Sequence, residues 1–373
     1  MLARSCMVAV ATLGIFLPAS LRASGRDSQP QEKNPPAMKT AEPVKKNIQA
    51  LKGLPASQFN TVMDFMSTSL GVRCNHCHVS DSTGWQFEKD DKAEKRTARK
   101  MIQMVMDLNT KNFGGRNAVT CVTCHHGTTE PTALMPLPQP PAKSEKEGVA
   151  VPSLPGVEQV LASCENALGG ADALKKISSR VMKGVSIDAQ GKESPIEIVQ
   201  QGPDKYAATM TGDRGTFTRT VNGIAGWMSS PRGTRELPPD AVEELKRDGA
   251  LFPVFRMREL SKMMRVSNKD TANGATAYLL TAPAGEHGTE RYYIDSSTGL
   301  LLRRVIITET MIGDIPEQVD YFDYRTVDGV KVPFTVRTAA VDPRDGSTQR
   351  FSSIEQNVSI NARKFSMPES KKK

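Results

Sequence analysis

The run Cys74-Asn75-His76-Cys77-His78 returns in outline as Cys121-Val122-Thr123-Cys124-His125, and no other feature of the 373-residue chain constrains it as much. Two cysteines three positions apart lie on one side of a single helical turn. Each thiol can form a thioether with one vinyl group of a haem, and the histidine that follows projects its imidazole beneath the iron. C-x-x-C-H is the attachment pattern of c-type haem, so the spacing predicts two covalently bound haem c groups held by Cys74, Cys77, Cys121 and Cys124. Three other chemistries use such cysteines. A zinc site needs no histidine directly after both pairs and favours shorter spacing between them. Structural disulfides suit an exported chain but leave both histidines unexplained. A thioredoxin-like motif expects a βαβ context, which the surrounding pattern lacks.

The motifs lie in a short segment that holds four of the six cysteines and four of the five histidines. Polar, Pro-rich stretches flank it. Residues 25–43 read as a disordered tether and 131–155 as a Pro-rich, spacer-like linker. The expected haem domain is 44–130. Within it, Pro55 suits a helix start, and Phe59, Val62, Met63, Met66 and Leu70 recur at helical spacing before Gly71. The pattern repeats from Lys92 to Asn109, with Ala98, Met101, Val105 and Leu108 on one face, and Gly114-Gly115 stops it. Helix, glycine turn, cysteine motif, twice over, is a weak internal duplication.

Each iron needs a second axial ligand or an open position, and methionine there raises the reduction potential. M-x-x-M precedes both motifs, as Met63/Met66 and Met101/Met104. Methionines at helical spacing commonly pack a core; ahead of a haem motif, one of each pair reads as a ligand. His76 and His126 read as solvent-facing. Lys92, Lys95, Arg96, Arg99 and Lys100 make a basic face, either solvated or placed for a haem propionate or an acidic partner. Trp85 is expected against haem or over a loop.

The stretches KNIQALKGL, FNTVMDFMSTSLGVRCNHCH, FEKDDK, TARKMIQMVMDLN and VTCVTCHHG resemble the cytochrome c subunit of photosynthetic reaction centres. The resemblance covers about a quarter of the chain. In that family the unit is a helix bearing the methionine ligand, a turn, and a CxxCH helix, the ligand being the first methionine of M-x-x-M. It therefore implies Met63 for the first haem and Met101 for the second, with Met66 and Met104 as alternatives and His78 and His125 in the proximal role. Two departures stand out. Members that feed the special pair carry four haems, whereas this chain has cysteines for two, and His126 replaces the usual arginine after CH.

Residues 156–370 read differently. A helix, Val157 to Leu168, ends at Gly169-Gly170, and Cys164 on it is expected to be a buried thiol. Runs such as IEIVQQ, TAYLLTA, RYYIDSS, LLLRRVIITET and VPFTVRTAAV follow, with turns at Asn222-Gly223, Asp328-Gly329 and Asp345-Gly346 and a helix near Asp240 to Lys246. The fold class is thus multidomain α + β: a small all-α multihaem cytochrome c domain, then a mainly antiparallel, half-barrel-like β domain. The latter loosely resembles LolA/LppX-type periplasmic lipoprotein carriers, which implies a lipid or quinone as one candidate ligand.

Net charge is +8, and no stripe of Lys/Arg interleaved with aromatics appears, which argues against nucleic acid. Residues 1–24 read as a signal peptide, with Arg4, an apolar run from Cys6 to Leu17, and small residues at 19–25. A periplasmic protein is expected, anchored to the membrane should the signal stay uncleaved. The reading is an exported di-haem electron carrier, not an enzyme, serving redox partner proteins that include a membrane-bound donor or acceptor. The rival from another class is a periplasmic lipid- or lipoprotein-binding protein with a haem redox sensor.

Overall fold

The computed structural model describes residues 40–43, 45–131, 153–285 and 288–368. The expected signal peptide, and most of the tether and linker, lie outside the described residues.

The first part is helical. Helix α1 (Phe59–Leu70) buries Val62, Phe65 and Ser69, and its end is set by Gly71 at φ 65°. There Gly71 N–H donates to Thr68 O and Val72 N–H to Ser67 O, the paired bonds of a left-handed helix stop. A side chain at Gly71 would also strike the Gly127 carbonyl, so glycine is required twice over. One-turn helix α2 (Cys74–Cys77) leads into a small hairpin, β1 (Val79–Asp81) and β2 (Gly84–Gln86). Helix α3 (Ala93–Phe113) follows and stops at Gly114, φ 61°. The short helix α4 (Cys121–His125) completes the segment.

The sequence pattern gathers Ala98, Met101, Val105 and Leu108 on one face of α3, and the structure divides that set. The buried apolar residues are Ile102 and Val105, with Asn109 one turn on, whereas Met101, Met104 and Leu108 form a second, exposed stripe.

Helices α5 (Val157–Leu168) and α6 (Ala171–Lys175) open the second part. Six strands then run as an antiparallel meander: β3 (Ser179–Asp188), β4 (Glu193–Gln201), β5 (Lys205–Gly212), β6 (Gly215–Asn222), β7 (Ala225–Ser230) and β8 (Gly233–Glu236). Helices α7 (Pro239–Asp248) and α8 (Pro253–Leu260) interrupt. A second meander follows: β9 (Arg265–Ala272), β10 (Ala275–Pro283), β11 (Gly288–Asp295), β12 (Leu301–Thr310), β13 (Gly313–Val327), β14 (Val330–Ala339) and β15 (Ser347–Gln356). The meanders join where β15 pairs with β3, giving one open sheet of 13 antiparallel strands with β8 and β9 at its edges. Asn222-Gly223 and Asp328-Gly329 turn hairpins as expected, but Asp345 ends a short 3-10 turn that leads into β15.

Successive strand residues face opposite sides of a sheet, and the core follows that rule. Ile198, Leu280 and Tyr292 lie under α5, α6 and α8, while their neighbours Val199, Leu279 and Tyr293 belong to separate clusters. Cys164 is a fully buried free thiol of the main cluster, as expected, and burial pushes it up to about 12. The helices are also pinned by charge. Arg256 on α8 holds the fully buried Glu290 at 2.8 Å, and the Tyr292 hydroxyl donates to the same carboxylate. Arg304 on β12 holds Asp248 at the end of α7.

The helical part does not close its own core. Leu51, Leu54, Val62, Phe65 and Ile102 are buried together with Ile312 and Ile315, which come from the end of the β12–β13 hairpin.

Candidate functional site

Both CxxCH runs fold as single helical turns entered from an extended residue, Arg73 before α2 and Thr120 before α4. Thr120 and Thr123 form a reciprocal capping box around α4, satisfying donors that a free helix start leaves open. The exits differ. His78 lies beyond the helix in extended backbone and runs directly into β1, whereas His125 is the last helical residue and His126 stops the turn at φ 50°. The duplication is therefore close at the cysteines and lost just after them.

All four cysteines are free thiols. Cys74 and Cys124 are exposed, and Cys77 and Cys121 are half-buried, with burial the main cause that pushes the pKa of the latter two up. The pairs do not converge. Among the described residues, the one group of three or more metal-ligating side chains with ligand atoms within 4.8 Å is Asp64, Asp342 and Asp345. The geometry thus offers no four-thiolate zinc site.

The residues fit haem on three grounds. First, His125 Nδ1 lies 3.0 Å from Thr128 O, a carbonyl that only accepts, so this bond occupies Nδ1 and leaves Nε2 as the nitrogen available to a metal. Second, His78 Nδ1 is buried with no hydrogen-bond partner among the described residues, and burial, then the Lys95 charge, push this imidazole below its ordinary range. Neutral imidazole is the form that binds metal. Third, large apolar side chains stand exposed around the motifs: Trp85, Phe87, Met101, Met104, Leu108 and Val122. Such a concentration suits a flat apolar partner.

Met63 and Met66 are half-buried on α1 against the cluster that also touches Cys121, so α1 lies beside the second cysteine turn as well as preceding the first. Gly127 N–H donates to Ser69 O at 2.8 Å, tying the exit of α4 to the end of α1. On the other side, α2 lies along α3, where Lys92 donates to Asn75 O. Met101 and Met104 are exposed on that helix.

Much of the basic face of α3 is engaged within the protein. Arg99 and Lys95 grip Asp90 at 2.8 and 2.9 Å, and with Asn47 they hold its carboxyl well below the usual carboxylate range. Arg96 donates to Asp90 O, while Lys100 is exposed. Trp85 lies stacked on Phe87 at 5.4 Å, and Phe87 meets the His78 ring edge-on at 5.1 Å. Sequence reasoning passed over Asn109. Its buried side chain donates to Val119 O at 2.7 Å and accepts from Val119 N–H at 3.0 Å, clamping the strand-like approach to α4 onto α3. Asparagine near a helix end was the available signal.

Residues 19–153 match the family described as photosynthetic reaction centre cytochrome C subunit. That segment is similar to cytochromes c of the reaction-centre type. It is 36% identical over 87 residues to cytochrome c-554 of Chloroflexus aurantiacus, covering 21% of this chain and 20% of that protein. It is 32% identical over 101 residues to the photosynthetic reaction center cytochrome c subunit of Roseobacter denitrificans, covering 25% of this chain and 27% of that one. The chain thus spans about a quarter of the length of these curated relatives. Among solved structures, the chain is similar to a LolA superfamily protein from Nitrosomonas europaea (TM-score 0.40, 9% identity, 57% of this chain, 99% of that one). It is also similar to the lipoprotein LppX of Mycobacterium tuberculosis (TM-score 0.24, 11% identity, 55% and 98%). The reaction-centre cytochrome resemblance read from the motifs is thereby found again by direct comparison.

Proposed function

We propose that this reaction-centre-type cytochrome carries two covalent haem c groups and serves as an exported electron carrier rather than an enzyme. The observation that carries the reading is the pair of one-turn CxxCH helices with free thiols, each beside apolar side chains that the protein itself leaves uncovered. Cys74 and Cys77 would hold the first haem, and Cys121 and Cys124 the second. His78 and His125 would ligate from the proximal side. Met63 and Met101 would take the opposite positions, with Met66 and Met104 as alternatives.

Bound haem supplies a one-electron Fe(III)/Fe(II) couple. The chain's own contribution is to hold and tune that couple. Thr128 O fixes the tautomer of His125, and a thioether sulfur of methionine favours the reduced state and so raises the potential. The exposed stripe on α3 would exclude water from one porphyrin face. No substrate bond is made or broken; redox proteins dock and leave, one of them a membrane-bound donor or acceptor. The setting would be the periplasm, reached through the signal at 1–24, with an uncleaved signal acting as an anchor. Among the described residues no helix is long and apolar enough to cross a membrane.

The rival reading, a lipid or quinone carrier with a haem sensor, finds less support. The cavity beneath α5 and α8, lined by Cys164, Phe252, Met257, Tyr321 and Tyr324, holds about 40 Å³, room for water and not for an acyl chain. A groove of about 620 Å³ on the sheet, lined by Val185, Pro195, Ile196 and Phe351 together with Lys183 and Arg350, is open to solvent.

Pyridine haemochrome analysis with intact mass, on protein matured in an exporting host, tests the reading. Two haems per chain are expected, and Cys121→Ser with Cys124→Ser should remove one. Colourless matured protein with four titratable thiols would end it.

A further inference from the structure

The turn joining β12 to β13 reaches both halves of the cysteine-bearing segment. Ile312 is fully buried there and Ile315 nearly so, both among α1 side chains and Ile102 of α3. Gly313 sits in a gap. A Cβ on it would stand 3.1 Å from the Phe65 ring of α1 and 3.3 Å from Thr120 Cγ2, the residue that caps α4. Beside it, the Asn117 side chain donates to Thr310 O at 2.9 Å and to Asp314 Oδ1 at 2.7 Å, fastening the loop that leads into α4. Thr310 Oγ1 donates to Gly313 O at 2.7 Å and keeps the turn itself rigid. Three separate pieces, α1, the approach to α4, and the cap of α4, therefore meet one turn of the β part.

We propose that this turn is a positioning wedge, in which Ile312, Gly313 and Asn117 set the spacing between α1 and the second cysteine turn, making the β part a component of the haem-holding device. α1 bears Met63 and Met66, and α4 bears Cys121, Cys124 and His125, so a shift of the turn alters where these side chains stand relative to one another. The ligand roles of those residues rest on the preceding reading; the wedge itself rests on packing and hydrogen bonds. The close approach at Gly313 is what distinguishes a wedge from a passive cover. There is room for a hydrogen and for nothing larger without moving Phe65 or Thr120.

Three substitutions in the full-length, matured chain test this: Ile312→Ala, Asn117→Ala and Gly313→Ala, with Ile224→Ala, at an exposed turn, as control. Amide exchange in residues 59–70 and 117–126 should quicken about tenfold in the first two, as local opening becomes easier, and stay unchanged in the control. In Gly313→Ala, which adds bulk, the near-infrared methionine–iron band or at least one reduction potential should shift while haem content stays at two. Should Ile312→Ala not fold, the milder Asn117→Ala and Gly313→Ala carry the test. Exchange rates and spectra like the parent's in both would overturn the wedge. A chain found to lack haem defeats the functional reading alone, because the exchange measurement still reports on the wedge.

Discussion

Asn109 shows what one side chain contributes at this site. An asparagine amide offers a donor and an acceptor in the same geometry as a peptide group, so its two bonds to Val119 act as one rung of a ladder between α3 and the approach to α4. Alanine there leaves both backbone groups of Val119 to find other partners. The expected loss is about 1–3 kcal/mol of stability, measured by urea unfolding, and on the proposed reading a haem at Cys121 and Cys124 becomes more open to ligands such as cyanide. Asn109→Asp, which keeps the acceptor but turns a buried carboxylate oxygen toward the Val119 carbonyl, should lose at least as much. The residue-level signals that were legible in sequence were those with a fixed local geometry: CxxCH as a one-turn helix, and Gly71 and Gly114 as left-handed stops. The clamp was not legible, because the identity of its partner depends on how the chain returns after ten residues.

At the scale of elements, α7 is held on the sheet by a mixed group of charges that includes a carboxyl with an unusual affinity for its proton. Glu317 on β13 is raised from 4.5 to about 7, first by burial and then by Asp248 and Glu244, with Arg304 and Arg247 opposing. Between those two values the folded state keeps a proton that the unfolded chain has lost, so stability falls as pH rises through that window and levels off above it. Glu290 behaves oppositely. Burial alone would raise it, but hydrogen bonds from Arg256 and Tyr292 outweigh burial and keep it below the ordinary value, so its contribution fades only in acid. Melting temperatures from about pH 5 to 7 should therefore decline, and Glu317→Gln should flatten the decline. An unchanged slope in that variant would assign the pH dependence elsewhere. Of these elements, α5 was legible almost to the residue, since glycines bound it on both sides. Helix α8 was missed; eight residues are too short a run to show a period, and its place is set by Val254 and Met257 in the core and by Arg256 reaching Glu290 on a later strand.

For the whole molecule, the sequence pattern separates an α part from a β part, and the class of fold is as expected. What the pattern did not reveal is that the α part borrows side chains. LLLRRVIITET reads as a strand, but nothing local shows that Ile312, just past its end, finishes a core begun at Leu51. A shared core makes the two parts lose structure together. Soret absorbance and far-ultraviolet circular dichroism should report one coincident thermal transition in the full chain. Two separated transitions would mean that the common cluster contributes little.

The hydrogen bond from Asn117 to Thr310 spans 193 positions. On the proposed reading, a polypeptide exported from its N-terminus would present the thiols of Cys74, Cys77, Cys121 and Cys124 long before the segment that completes their surroundings has emerged. Whatever enzyme attaches porphyrin would meet an open, pliable strand rather than a finished pocket, and the late arrival of the hairpin would then lock the product in place.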